Sequence, residues 1–77
     1  MSKNDLPTYA IVELLIRLSS FNPTIGNYKD HHLNNEDVIV KTAYGPVTLP
    51  QEMIMRQFNA PEAITEHELK AVALQLK

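Results

Sequence analysis

The residues best equipped for chemistry stand in one short tract, where His31 and His32 lie among Asp30, Glu36 and Asp37. Imidazole and carboxylate groups are adequate ligands for a divalent cation. Adjacent histidines rarely chelate one ion well, however, and the spacing matches no helical or finger pattern. The expectation is a solvated polar loop and no metal site. His67-Glu68 begins like the metalloprotease helix H-E-x-x-H, but Ala71 stands where the second histidine is required. Ser19 and Ser20 have no sign of a histidine oriented beside them, so neither reads as a nucleophile. Neither glycine, Gly26 or Gly45, belongs to a loop that cradles phosphate. A chain of 77 residues also leaves little room for a substrate pocket of the usual several hundred Å³. No catalytic residue, cofactor or small-molecule substrate is assigned, and a non-enzymatic protein is expected.

The element that would position these groups most firmly is the stretch Thr8 to Phe21, TYAIVELLIRLSSF. At about 100° per residue, Glu13, Arg17 and Ser20 form a polar strip only about 60° wide, while apolar residues spread over about 240°. A surface helix needs an apolar stripe of about 100° or somewhat more, so this one wants cover on nearly every side. Asp5 or Thr8 is a candidate cap, Pro7 suits a first turn, Glu13 and Arg17 pair at i,i+4, and Asn22-Pro23 stops the helix. Residues 22–37 hold Pro23, Gly26 and four asparagines and read as a long polar loop, tacked to the core by Ile25, Tyr28 and Leu33. Residues 38–49 carry the clearest β signal, with Val38, Val40 and Thr42 on one face and Ile39, Lys41 and Ala43 on the other. Tyr44-Gly45 makes a hairpin turn, and Pro46 belongs at a strand start or facing outward on an edge. Pro50 opens a short helix in which Glu52 pairs with Arg56, and Asn59-Ala60-Pro61 closes it. A last helix starts at Thr65, where Thr65 to Glu68 matches a capping box, and buries Leu69, Val72, Ala73 and Leu76; Glu66 and Lys70 support its exposed side.

The expected fold is therefore a small α+β domain over 1–77, in the order α-β-β-α-α, with a flexible start over 1–6. The N-terminal apolar helix packs on a β-hairpin, and two C-terminal helices close the other side. A domain this small is marginal unless helped by disulfides, a metal or association. The chain has no cysteine, which excludes disulfides and thiolate zinc sites. Seven Lys+Arg against nine Asp+Glu give a formal charge of −2, not the basic excess of a phosphate-binding protein. The start MSKNDLP is polar and carries Asp5, so the apolar run after it does not read as a signal peptide. With Glu13 and Arg17 in about 12 residues, that run is too short and too charged to span a bilayer; no membrane partner is expected and a cytoplasmic location is the default.

The remaining readings concern partners. Self-association is expected through Ile11, Leu14, Leu15 and Leu18 of the first helix. A second partner would be met by Tyr28, His31 and His32 in the loop and by the adaptable cluster Met53, Met55 and Phe58. The resulting expectation is a homodimer, or a regulatory or inhibitory subunit that docks onto a larger protein. Small accessory proteins of phages and other mobile elements share this profile. The alternative is a helix-turn-helix DNA-binding regulator built from residues 50–77. Against it, the would-be recognition helix opens with Glu66, His67 and Glu68 and carries only Lys70 and Lys77 as basic residues, the wrong balance for phosphates. Nucleic acid is not the expected partner.

Overall fold

A computed structural model describes residues 6–76. Asp5 and Lys77 lie outside the described residues, as does all of the expected flexible start except Leu6, which packs against the core. Helix α1 spans Thr8–Ser19. Pro7 occupies its N-cap position in extended conformation and no side chain caps the helix, so Thr8 is not the cap. Five side chains of α1 (Ala10, Ile11, Leu14, Leu15 and Leu18) are buried and fill an arc of about 140°.

Three strands follow: β1 Tyr28–Asn34, β2 Asp37–Thr42 and β3 Gly45–Pro50, an antiparallel sheet in the order β1-β2-β3. The tract expected to be an irregular loop over 22–37 thus contains a strand of seven residues, and the order is α-β-β-β-α-α. Two physical causes hid it. The register shifts between Tyr28 and Asp30, so Tyr28, His31 and Leu33 share the core-facing side at spacings that break a strict alternation of two. The remaining positions of β1 face water, as one side of an antiparallel sheet commonly does, and therefore carry Lys29, Asp30, His32 and Asn34. Asn35, with φ of 59°, supplies the positive backbone angle of the tight turn into β2. The second turn falls at Ala43-Tyr44, one residue earlier than expected, and Gly45, the first residue of β3, carries the anticipated positive φ, 118°. The faces of β2 also fall as expected: Val38, Val40 and Thr42 are buried on one, while on the other Ile39 is half-buried and Lys41 exposed, as is Ala43 just past the strand.

Helix α2 covers Gln51–Asn59, a 3-10 turn occupies Pro61–Ala63, and helix α3 runs Glu66–Gln75. Buried residues of α1, the sheet, α2 and α3 form one core, with Ile25 and Ile64 filling its margins. Side chains tie the pieces together. Thr65 Oγ1 accepts from the Glu68 amide at 3.1 Å, one half of the capping box; the Glu68 carboxylate turns to Arg56 instead of returning to Thr65. Asn22 Nδ2 donates to the Leu76 carbonyl and joins the Leu76 amide on the carbonyl of Ala73, pinning the end of α3 to the segment after α1. Glu13 and Arg17 do not pair with each other. Arg17 donates to Gln57 Oε1 and to the carbonyls of Pro61 and Ile64, and the buried Gln57 donates to Glu13 at 3.4 Å. The pair expected within one helix therefore clamps α1 to α2 and to the 3-10 turn. No helix among the described residues is long and apolar enough to cross a membrane.

Candidate interaction surface

The apolar excess of α1 is only partly used by the core. Ile16 is 64 % exposed and Tyr9 58 %, with Val12 half-buried between them on the same helical face. At one end of this strip Tyr9 meets Phe58 of α2 edge-on, ring centroids 5.7 Å apart. At the other end, Val12, Leu15 and Ile16 form one wall of a groove of about 280 Å³, and Ile25 and Tyr28 belong to its other wall. An apolar strip that joins a groove is the kind of surface a partner protein covers.

The self-association residues read from sequence lie elsewhere. Ile11, Leu14, Leu15 and Leu18 are 0–3 % exposed and belong to the core of the single chain, so none offers more than a trace of surface to a second molecule. Met53 is buried too, Met55 is half-buried, and only Phe58 of that cluster reaches solvent substantially. Sequence reasoning missed Tyr9, Val12 and Ile16 as surface. Their apolar character was visible, but a helix wheel does not say which arc its own chain covers.

The histidine tract is distributed by the strand. His31 faces inward, half-buried, with Nδ1 2.8 Å from the Tyr28 hydroxyl; His32 is exposed on the outer face. Adjacent strand positions point to opposite faces, so the two imidazoles diverge. Among the described residues no three His, Asp or Glu side chains converge on one point. The Ser19 and Ser20 hydroxyls donate to the carbonyls of Ile16 and Arg17 in their own helix.

The sheet edges differ sharply. Asn34 and Asp37 flank a two-residue turn, which makes them a hydrogen-bonded pair, and alternation then leaves His31 and Leu33 with their N–H and C=O turned away from β2. The Asp30 carboxylate takes up the His31 N–H at 2.8 Å, as this orientation requires. On β3, the amide of Gln51 bonds to the Glu36 carbonyl, so Pro50 beside it faces outward, and Pro46 does so by the same alternation. Lacking N–H groups, the two prolines close that edge to further pairing.

The surface of residues 50–76 is acidic. Arg56 is held between Glu52 and Glu68, which leaves Lys70 as the one basic residue without an ion-pair partner among the described residues of that segment. The neighbouring carboxylates, Glu68 first and then Glu52, push the Arg56 pKa further up. Arg56 in turn holds the Glu68 carboxyl below its ordinary value. Compared with protein-family models, curated proteins and solved structures, the chain matches none.

Proposed function

We propose that this chain is a non-enzymatic protein–protein interaction module that works by association, as a homodimer or as a small regulatory or inhibitory subunit seated on a larger protein. The observation that carries the reading is the exposed strip of Tyr9, Val12 and Ile16, which runs from the Tyr9–Phe58 contact into the groove beside Tyr28. The core of this small chain is already complete without these residues, so they are not needed for burial within it. A helix-turn-helix reading would need cations along α3, and Arg56 is committed to carboxylates within the segment. A cytoplasmic setting fits the reading but adds nothing to it.

Sedimentation equilibrium of the purified chain and of Ile16→Ser, across roughly micromolar to millimolar concentration, tests self-association. A reversible dimer weakened by Ile16→Ser supports the homodimer form. A chain that stays monomeric throughout removes that form and leaves the accessory-subunit form, for which capture by a larger protein must depend on Ile16.

A further inference from the structure

We propose that a second copy of this chain adds its β1 to the β1 edge, antiparallel about a two-fold axis beside His32, so that two three-stranded sheets become one. The proposal rests on the homodimer form of the association reading above and places its pairing at the β1 edge, whose first residue, Tyr28, lines the groove beside the α1 strip.

Three observations select this edge and this occupant. β1 is the edge whose outward groups can still pair, because Pro46 and Pro50 close the opposite one. Pairing β1 of one molecule with β3 of the next would propagate without end, as head-to-tail contacts do when they fail to close. The prolines block that mode and leave only the closed pairing of β1 with itself. The register follows from the outward residues. His31 of each copy lies opposite Leu33 of the other, and these two symmetric pairs make four main-chain hydrogen bonds.

Charge fits the same register. Lys29, exposed at the start of β1, arrives beside the Asn35-Glu36 turn of the second copy, and Asp30 comes opposite Asn34, so no carboxylate faces a carboxylate. On the core side, half-buried Leu33 meets His31 of the second copy, whose ring is held by the Tyr28 hydroxyl. The cost is the bond from the His31 N–H to Asp30 Oδ1, which must open for the Leu33 carbonyl to replace it. In the separate chain that carboxylate guards the edge against indiscriminate pairing.

The test compares the natural chain with a chemically synthesised one carrying an N-methyl group on Leu33, a change that deletes one outward N–H and leaves the bonds to β2 intact. The expected result is a dimer for the natural chain and a folded monomer, by circular dichroism and sedimentation, for the methylated one. If the methylated chain remains dimeric, edge pairing is overturned while association stands, and loss of the dimer in Ile16→Ser then assigns it to the α1 strip. If the natural chain is monomeric at every concentration, edge pairing and self-association fall together. Should the methylated chain not fold, hydrogen exchange in the natural chain decides. The Leu33 amide must become protected as concentration rises, and free exchange in the concentrated sample overturns the proposal.

Discussion

Arg56 and Glu68 face each other across the junction of α2 and α3 as a two-pronged ion pair, Nη1 2.9 Å from Oε1 and Nη2 2.5 Å from Oε2. Glu52 approaches the same guanidinium from one turn earlier in α2. Paired forks of this kind fix geometry as well as charge, and this one ties the two C-terminal helices together through residues twelve apart in the chain.

This pairing gives stability a defined acid dependence. Hydrogen bonds from Arg56 lower the Glu68 pKa in the folded chain. A lowered carboxylate contributes stability that is fully present above its unfolded pKa of about 4.3 and is lost as pH falls through the folded value. Glu68→Gln is expected to melt below the natural chain at neutral pH, with the gap closing as pH is taken below about 4. Thermal unfolding across a pH series checks it, and a constant gap at all pH would refute the linkage.

Arg17 clamps three elements by side-chain hydrogen bonds. Arg17→Met keeps the aliphatic length but strands the carbonyls of Pro61 and Ile64 and the amide oxygen of Gln57. A loss of about 1–3 kcal/mol in urea unfolding is expected, the scale of part-buried groups left unsatisfied. Parity with the natural chain would mean that water replaces the guanidinium without penalty.

Neighbouring positions on α1 separate core from surface. Leu14 is fully buried, and Leu14→Ala is expected to cost about 2–5 kcal/mol, enough to unfold much of the population of so small a domain. Ile16 is largely exposed, so Ile16→Ser should change monomer stability by no more than about 0.5 kcal/mol. Unfolding of both variants by denaturant at low concentration tests the contrast.

Gly26 is needed for close approach. A Cβ there would lie 2.7 Å from the Tyr44 amide nitrogen and 3.0 Å from that of Ala43, pressing on backbone that cannot yield as a side chain does. Gly26→Ala is expected to cost about 1–3 kcal/mol by overpacking. Amide shifts confined to the β2–β3 turn would accompany it in an NMR spectrum.

The legible features were those encoded by neighbours in the chain. The period of α1, the alternation of Val38, Val40 and Thr42, the stop at Asn59-Ala60-Pro61, the Thr65 cap and the positive φ at Gly45 all depend on contacts within a few residues. The i,i+4 pair of Glu52 and Arg56 formed for the same reason. β1 was not legible, because an edge strand with one wet face and a bulge carries neither an apolar run nor a clean alternation.

Thus the sequence by itself determined the α+β class, the types and rough limits of five elements, and the exclusion of disulfides, since each follows from composition or local periodicity. The tertiary structure decided which arc of α1 is core and which is surface, and so moved the candidate interface from Ile11, Leu14, Leu15 and Leu18 to Tyr9, Val12 and Ile16. It also sent Arg17 to Gln57 rather than Glu13, parted His31 from His32, and left one sheet edge open beside one closed by prolines. Burial and strand pairing are relations between segments far apart in the chain, and a one-dimensional pattern states what a residue prefers without stating what meets it.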